Sequence, residues 1–396
     1  MADNQREMQR REKKAKKDRK NKIIIWSVIA VVIVILAVMK ICEVNINSVK
    51  DRFTDADGNF TISQGVSEGN FPYNIDSSKN VVIKNVNKKL GVLTPLSFTV
   101  LDSNDAEPEY SFEHGYSSPI LKTSGIYTLI YDQGAKNMRL DTTSKAMYEM
   151  QTNNTIFCAD VAKNGSVVYA CASDEKKCDV HVLSKTRKEL LSYSTSEGYI
   201  VAAAINDSGN KIAFVTVNSE NAQLKYVLTT MNVGSDEVKA STTLPLGNVV
   251  ELKYSSSNIY VVGDDYLAVV KNQKELEIVF DHSQINTVSY TFTPSNELVL
   301  VYNSYANSTE NVVARISSNG KVKKETKLTG TVKSISASSN AVSIYADNEI
   351  TTLKLSNLEK SGSITTDDSI KSICRMGSEV FVHRQSLIDR SEAETK

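Results

Sequence analysis

Residues 156–170 read IFCADVAKNGSVVYA: an apolar stretch, a tight polar turn at Lys163 to Ser166, and a second apolar stretch. Runs of this length, cut by Asn and Gly, indicate two antiparallel strands joined by a turn. The unit returns as IVAAAINDSGNKIAF from Ile200, VELKYSSSNIYVV from Val250, VSYTFTPSNELVLVY from Val288, VKSISASSNAVSIYA from Val332 and IKSICRMGSEVFVHR from Ile370. Successive starts are 38 to 50 residues apart, around the roughly 40 to 45 residues of a four-stranded propeller blade. Two earlier segments, around Ile83 and Ile120, keep the rhythm, so eight starts can be counted.

The unit from Ile370 is short, with only about twenty residues before the charged end RSEAETK. A ring solves this by borrowing a strand from the other end of the domain, which also removes the open sheet edge. Residues 60–75 are placed to supply it. The expectation is an all-β fold, a β-propeller of seven or eight blades. A pair of β-sandwiches would also use short strands, but a regular period favours the ring. Only short pieces such as KTRKELL (185–191) hint at helix, too few for an α/β layer.

Upstream, residues 1–22 carry ten basic side chains against four acidic ones, while the whole chain balances 46 basic against 46 acidic residues. A basic tail of net +6 therefore precedes a mildly acidic body. The apolar run that follows, residues 23–42, is long enough for a membrane-spanning helix and shows no polar stripe. The basic flank places the N-terminus in the cytoplasm and the body outside. The run ends Leu-Ala-Val-Met-Lys-Ile without an A-x-A-like cleavage site, and Cys42 follows Lys40 and Ile41 rather than the small residues lipidation needs. The segment is thus expected to stay as a signal anchor, with helix and tail contacting membrane lipid; the tail lacks the aromatic interleaving of a nucleic-acid binder.

Residues 43–79 read as a polar linker, 80–391 as the extracytoplasmic propeller and 392–396 as a C-terminal tail. Within the linker, DADGN (55–59) resembles a calcium loop only superficially. With Gly58 at the sixth position, the first and twelfth would be Phe53 and Gln64, neither of which supplies a carboxylate.

The order of basic tail, anchor and propeller, together with FPYNI (71–75) and HGYSSPILKTSGIYTLIYDQGAKNMRL (114–140), resembles a family of uncharacterised membrane-anchored propeller proteins of low-GC Gram-positive bacteria, a domain of unknown function. The resemblance implies an envelope protein with an extracytoplasmic propeller and brings no catalytic residue with it. NDSGNKIAFV from Asn206 is similar to the repeat of TolB-like propellers, which bears on fold alone.

Catalytic signatures are sparse. The one tryptophan, Trp26, lies in the apolar run, so the tryptophan platforms of quinone-binding propellers are missing. NDSGNKI shares only Asp207-x-Gly209 with the sialidase turn. His114, His181, His282 and His383 fall in separate units, as satisfied or exposed strand-end residues, with Asp281-His282 the one close acid pairing. Neither a phosphate loop, nor G-x-S-x-G, nor H-x-x-x-H is present. Catalytic, cofactor-binding and metal-binding residues are therefore none. Cys171 and Cys178 flank the turn ASDEKK and would bridge only if the register set them opposite; the five cysteines otherwise read as free thiols, not a disulfide framework.

These readings point to a non-catalytic binding or scaffolding module of the envelope, with a protein or cell-wall polymer as partner. The alternative is an enzyme or small-molecule sensor, which would show a cluster of carboxylates or histidines at one mouth of the channel. The longest interval between unit starts contains residues 217–249, expected as a protruding contact loop, with NVGSDEVKASTT from Asn232 at its heart.

Overall fold

The computed structural model describes residues 71–395, apart from 76–78, 284–287, 304, 306, 307 and 393. The expected basic tail, the anchor over 23–42 and most of the linker lie outside the described residues. Among the described residues no helix is long and apolar enough to cross a membrane.

Eight sheets follow one another along the chain: blade 1 (residues 82–113), blade 2 (119–151), blade 3 (156–195), blade 4 (199–243), blade 5 (249–281), blade 6 (288–329), blade 7 (332–365) and blade 8 (370–392). Each is an antiparallel meander, because turns of a few residues can join only antiparallel neighbours. All eight unit starts read from the sequence fall in the first, innermost strand of a blade. Blade 8 contributes three strands of its own, and its outer strand is Tyr73–Asn74, paired with Leu387 and Ile388. That closing strand lies inside the 60–75 window. At the other end, Glu394–Thr395 pairs with Ser363 and Gly362, adding a fifth strand to blade 7 where a free tail was expected.

What holds the ring is legible in its cores. Eight separate clusters of buried side chains occur, each between two consecutive blades, and one of them joins blade 8 to blade 1 through Cys374, Phe381, Ile388, Leu90 and Leu101. The period-2 pleat does this: in Leu298–Asn303, Val299 and Val301 face blade 7 while Leu298 and Leu300 face blade 5. Middle strands are consequently apolar on both faces, which is why the sequence shows continuous apolar runs instead of alternation.

Local chemistry sets the turns. In the opening stretch Gly165 sits at φ 84°, its N–H donating to Ala162 O, and a Cβ there would lie 2.7 Å from the Tyr127 ring of blade 2. KTRKELL is not helical: Glu189–Thr195 pairs along Cys178–Leu183, and Arg187, at φ 65°, makes the turn between them. The helix propensity of Lys, Glu and Leu is overridden by burial of Leu191 between blades 3 and 4.

The four described cysteines, Cys158, Cys171, Cys178 and Cys374, are free and buried. Cys171 stands opposite Asp179, and Cys178 opposite Ala172. The one-residue offset sends the two thiols to opposite faces, Cys171 toward blade 2 and Cys178 toward blade 4, so they cannot bridge.

Residues 217–249 are not a loop. They contain the strands Gln223–Asn232 and Val238–Thr243, and NVGSDEVKASTT comprises a turn and the outer strand of blade 4. The extra length is spent on two ten-residue strands, Lys211–Glu220 and Gln223–Asn232, whose hairpin turns at Asn221 and Ala222, both at positive φ.

Candidate binding face and central channel

Because strands alternate in direction, the start of each innermost strand, the turn between second and third strands, and the link to the next blade gather on one face of the ring, here the upper face. Among the described residues, seven of the eleven large exposed apolar side chains lie there: Leu96, Tyr199, Val201, Leu224, Leu246, Val250 and Tyr305. Five of these belong to blade 4, blade 5 and their link. Leu246 and Val250 are 68% and 59% exposed, a cost in water that a monomer does not need to bear.

A shared irregularity brings two of them forward. In blades 3, 4, 5, 7 and 8 the innermost strand shifts register around its second or third residue, which is Phe157, Val201, Val250, Lys333 and Lys371 in turn. Such a bulge leaves that residue unpaired and re-aims it. Val201 and Val250 are exposed, as are Lys333 and Lys371, so the upper mouth carries an apolar arc on blades 4 and 5 and a basic pair on blades 7 and 8.

Next to the apolar arc, the hairpin of blade 4 walls a shallow depression of about 420 Å³ lined by Leu224, Tyr226, Leu246, Asn248, Asp264 and Asp265. Tyr226 donates its hydroxyl hydrogen to Asn248 Oδ1 at 2.9 Å, and Asn248 Nδ2 donates to Asp264 Oδ2 at 2.8 Å. Two exposed carboxylates, Asp264 and Asp265, and two exposed leucines, Leu224 and Leu246, thus share its lining.

The channel itself is crossed by charge. Lys122 of blade 2 reaches Glu251 of blade 5, Nζ to Oε1 3.4 Å, and Tyr290 of blade 6 donates to Glu251 Oε2 at 2.9 Å. Lys84 of blade 1 donates to Leu121 O at 3.1 Å. Burial, with Lys122 beside it, pushes Lys84 below the usual lysine range. Burial opposes the charges of Lys122 and Glu251 as well, but their mutual attraction prevails: Lys122 is raised and Glu251 is held below the usual carboxylate range. The cluster is lysine-rich: Glu251 is held by Lys122 and Tyr290, while Lys84 has a backbone carbonyl as its hydrogen-bond partner, and Asp160 also acts on both lysines. Sequence reasoning missed it, since each member is an isolated polar residue in its own unit.

The histidines stay apart. His114 Nε2 lies 3.1 Å from Thr94 O and His383 Nε2 lies 2.9 Å from Gln385 O. His282 is buried beside Phe280, while Asp281 turns away to accept from Ser283. His181 departs from the strand-end reading: it is in mid-strand of Cys178–Leu183, with Nδ1 2.8 Å from Glu189 Oε1.

A sequence model of a family of unknown function, DUF5711, matches residues 73–392, from the closing strand to the end of blade 8. The chain belongs to DUF5711. Among curated proteins none matches. Among solved structures, this DUF5711 chain is similar to the computationally designed Ika8 protein (10% identity, 81% of this chain and 98% of that one, TM-score 0.56). It is similar also to the C-terminal WD40 domain of Sif2 (9% identity, 81% and 98%, TM-score 0.56) and to Sqt1 of Saccharomyces cerevisiae (11% identity, 82% and 98%, TM-score 0.55). At such identities the likeness concerns the eight-bladed fold alone.

Proposed function

We propose that this DUF5711 chain is a membrane-anchored, extracytoplasmic binding module of the bacterial envelope that captures a protein partner on its upper face. The observation that carries the reading is the exposure of Tyr199, Val201, Leu224, Leu246 and Val250 on the upper face of blades 4 and 5, where Leu224 and Leu246 line a depression together with Asp264 and Asp265. An apolar rim suits a peptide segment with apolar side chains and a basic residue for Asp264 and Asp265; a cell-wall polymer of sugars and phosphates would gain little from it. A rigid ring supports the face, and the tail and helix of residues 1–42 would fix it to the membrane. The alternative, a small-molecule sensor or enzyme at the channel, is supported by the Lys84, Lys122 and Glu251 cluster. Glu251, the carboxylate of that cluster, is already held by Lys122 and Tyr290, which favours the binding module.

A photo-crosslinking residue placed at Leu246 in the full chain is expected to give, in intact cells, a discrete adduct with one protein. Leu224→Asp should reduce that adduct at least tenfold. Adducts of equal yield from Ile126, on the opposite face, or retention despite Leu224→Asp, would overturn the assignment of the face. Turnover of a substrate in a broad activity screen, lost on Glu251→Gln, would replace it with the alternative.

Topology has its own check. Protease added to intact wall-stripped cells should digest the chain beyond about residue 45 and spare the basic tail. A mature soluble form beginning near residue 43 would contradict the anchor.

A further inference from the structure

Between the outer halves of blades 2 and 3 lies a group of side chains that neither the binding face nor the channel uses. On Val167–Ala172, Tyr169 and Cys171 project from the face turned to blade 2, and the antiparallel register sets His181 beside Tyr169 and Asp179 beside Cys171. The Cys171 thiol, an Asp179 carboxylate oxygen and an imidazole nitrogen of His181 all lie within 4.8 Å of one another. Three different donor atoms thus converge from two strands that the sheet holds in fixed register.

Independent observations show that the group is more than packing. Glu189 Oε1 lies 2.8 Å from His181 Nδ1, a contact that orients the ring and, in the neutral imidazole, leaves the Nε2 lone pair for a metal. A carboxylate behind the far ring nitrogen is the usual outer support of a metal-binding histidine. The Tyr169 ring stacks on the imidazole, 4.9 Å between centroids at 20°, and fixes its plane. Asp179 Oδ1 is buried with no hydrogen-bond partner, a costly state for a carboxylate oxygen in a natural core. Sulfur, oxygen and nitrogen lone pairs are thus gathered in one small space.

We propose that Cys171, Asp179 and His181 bind one divalent transition-metal ion of the zinc class, with Glu189 orienting the histidine. Mixed sulfur, nitrogen and oxygen donors suit zinc or cobalt, whereas calcium and magnesium take oxygen alone. Three protein ligands leave one tetrahedral position for water or an outside ligand. His181 and Asp179 are half-buried, so the position opens toward the rim between blades 2 and 3. On binding, the sulfur–metal bond forms as the thiol releases its proton to solvent.

Cobalt(II) added to the chelator-stripped, tag-free full chain under reducing conditions is the direct test. One equivalent should bind, release about one proton, and produce both a thiolate-to-cobalt charge-transfer band and the intense visible bands of tetrahedral cobalt, all abolished by zinc. Cys171→Ser should remove the charge-transfer band, and Glu189→Gln should weaken binding about 10- to 100-fold. X-ray absorption of the zinc-loaded parent should show a sulfur neighbour near ~2.3 Å, a readout that does not depend on any variant folding. Absence of the band and of a sulfur neighbour in the parent, or persistence of the band in Cys171→Ser, overturns the proposal.

Discussion

A chain ended at residue 369, lacking blade 8, is expected to lose its cooperative thermal transition altogether. The deletion removes Cys374, Phe381 and Ile388 from the core shared with blade 1, and Ile373, Val380 and Val382 from the core shared with blade 7. It also strands the serines of blade 7, since Ser334 Oγ accepts from Ile373 N at 3.1 Å and Ser336 Oγ from Arg375 N at 2.9 Å. Two blade faces are thereby exposed at once, and Tyr73–Asn74 loses its only described partner strand. Losses of this kind exceed the 5 to 15 kcal/mol by which a domain is stable. Circular dichroism melts of full and shortened chains make the comparison, and a shortened chain that melts as sharply and as high as the parent would refute closure as the source of stability.

Glu251→Gln should cost about 2 kcal/mol near neutral pH, lowering the midpoint on the order of 5 °C. The figure lies between an exposed ion pair and a fully buried one, because the Lys122 and Glu251 side chains keep 28% and 26% of their exposure. In the parent, Glu251 titrates below its unfolded value, so its contribution is present above about pH 4.3 and is lost as pH falls through the lower folded value. In the variant, Lys84 and Lys122 repel each other with Asp160 as the remaining carboxylate that acts on both, so Lys84 falls further below the unfolded ~10.4 and Lys122 loses the largest influence that raised it. The deficit is therefore full at pH 7 and shrinks as pH rises through the lowered Lys84 value. Denaturant titrations of both chains at pH 7 and pH 10 measure this. Equal stability at pH 7 would show that the channel pair is not a structural tie.

The contrast between the two experiments reflects what each part of the molecule writes into the chain. Blade starts are visible at Ile156, Ile200 or Ile370 because a strand that buries both faces needs a continuous apolar run, and a tight turn needs Asn or Gly; both are local demands. The channel cluster leaves no such trace. Lys84, Lys122 and Glu251 are single polar residues, each at a similar place in its own blade, and only the curvature of the ring brings blades 1, 2 and 5 to one axis. The upper-face patch is similar: Leu224 lies on a hairpin and Leu246 on a link to the next blade, and neither stands out among the apolar residues around it.

Register accounts for the remaining differences. Whether Cys171 and Cys178 bridge depends on a one-residue offset that the turn ASDEKK does not announce, and the same offset sets Asp179 beside Cys171 and His181 beside Tyr169. The length of residues 217–249 suggests a loop as readily as a long hairpin until the partner strand, Lys211–Glu220, is seen to run alongside. The amino-acid sequence alone thus establishes an all-β ring of repeating four-stranded units and the need for a borrowed closing strand, because hydrophobic periodicity and turn chemistry act over a few residues. The count of eight, the faces to which cysteines and histidines point, the apolar arc at one mouth and the charge across the channel come from tertiary structure, because they depend on strand register and ring closure, which join residues up to about three hundred positions apart.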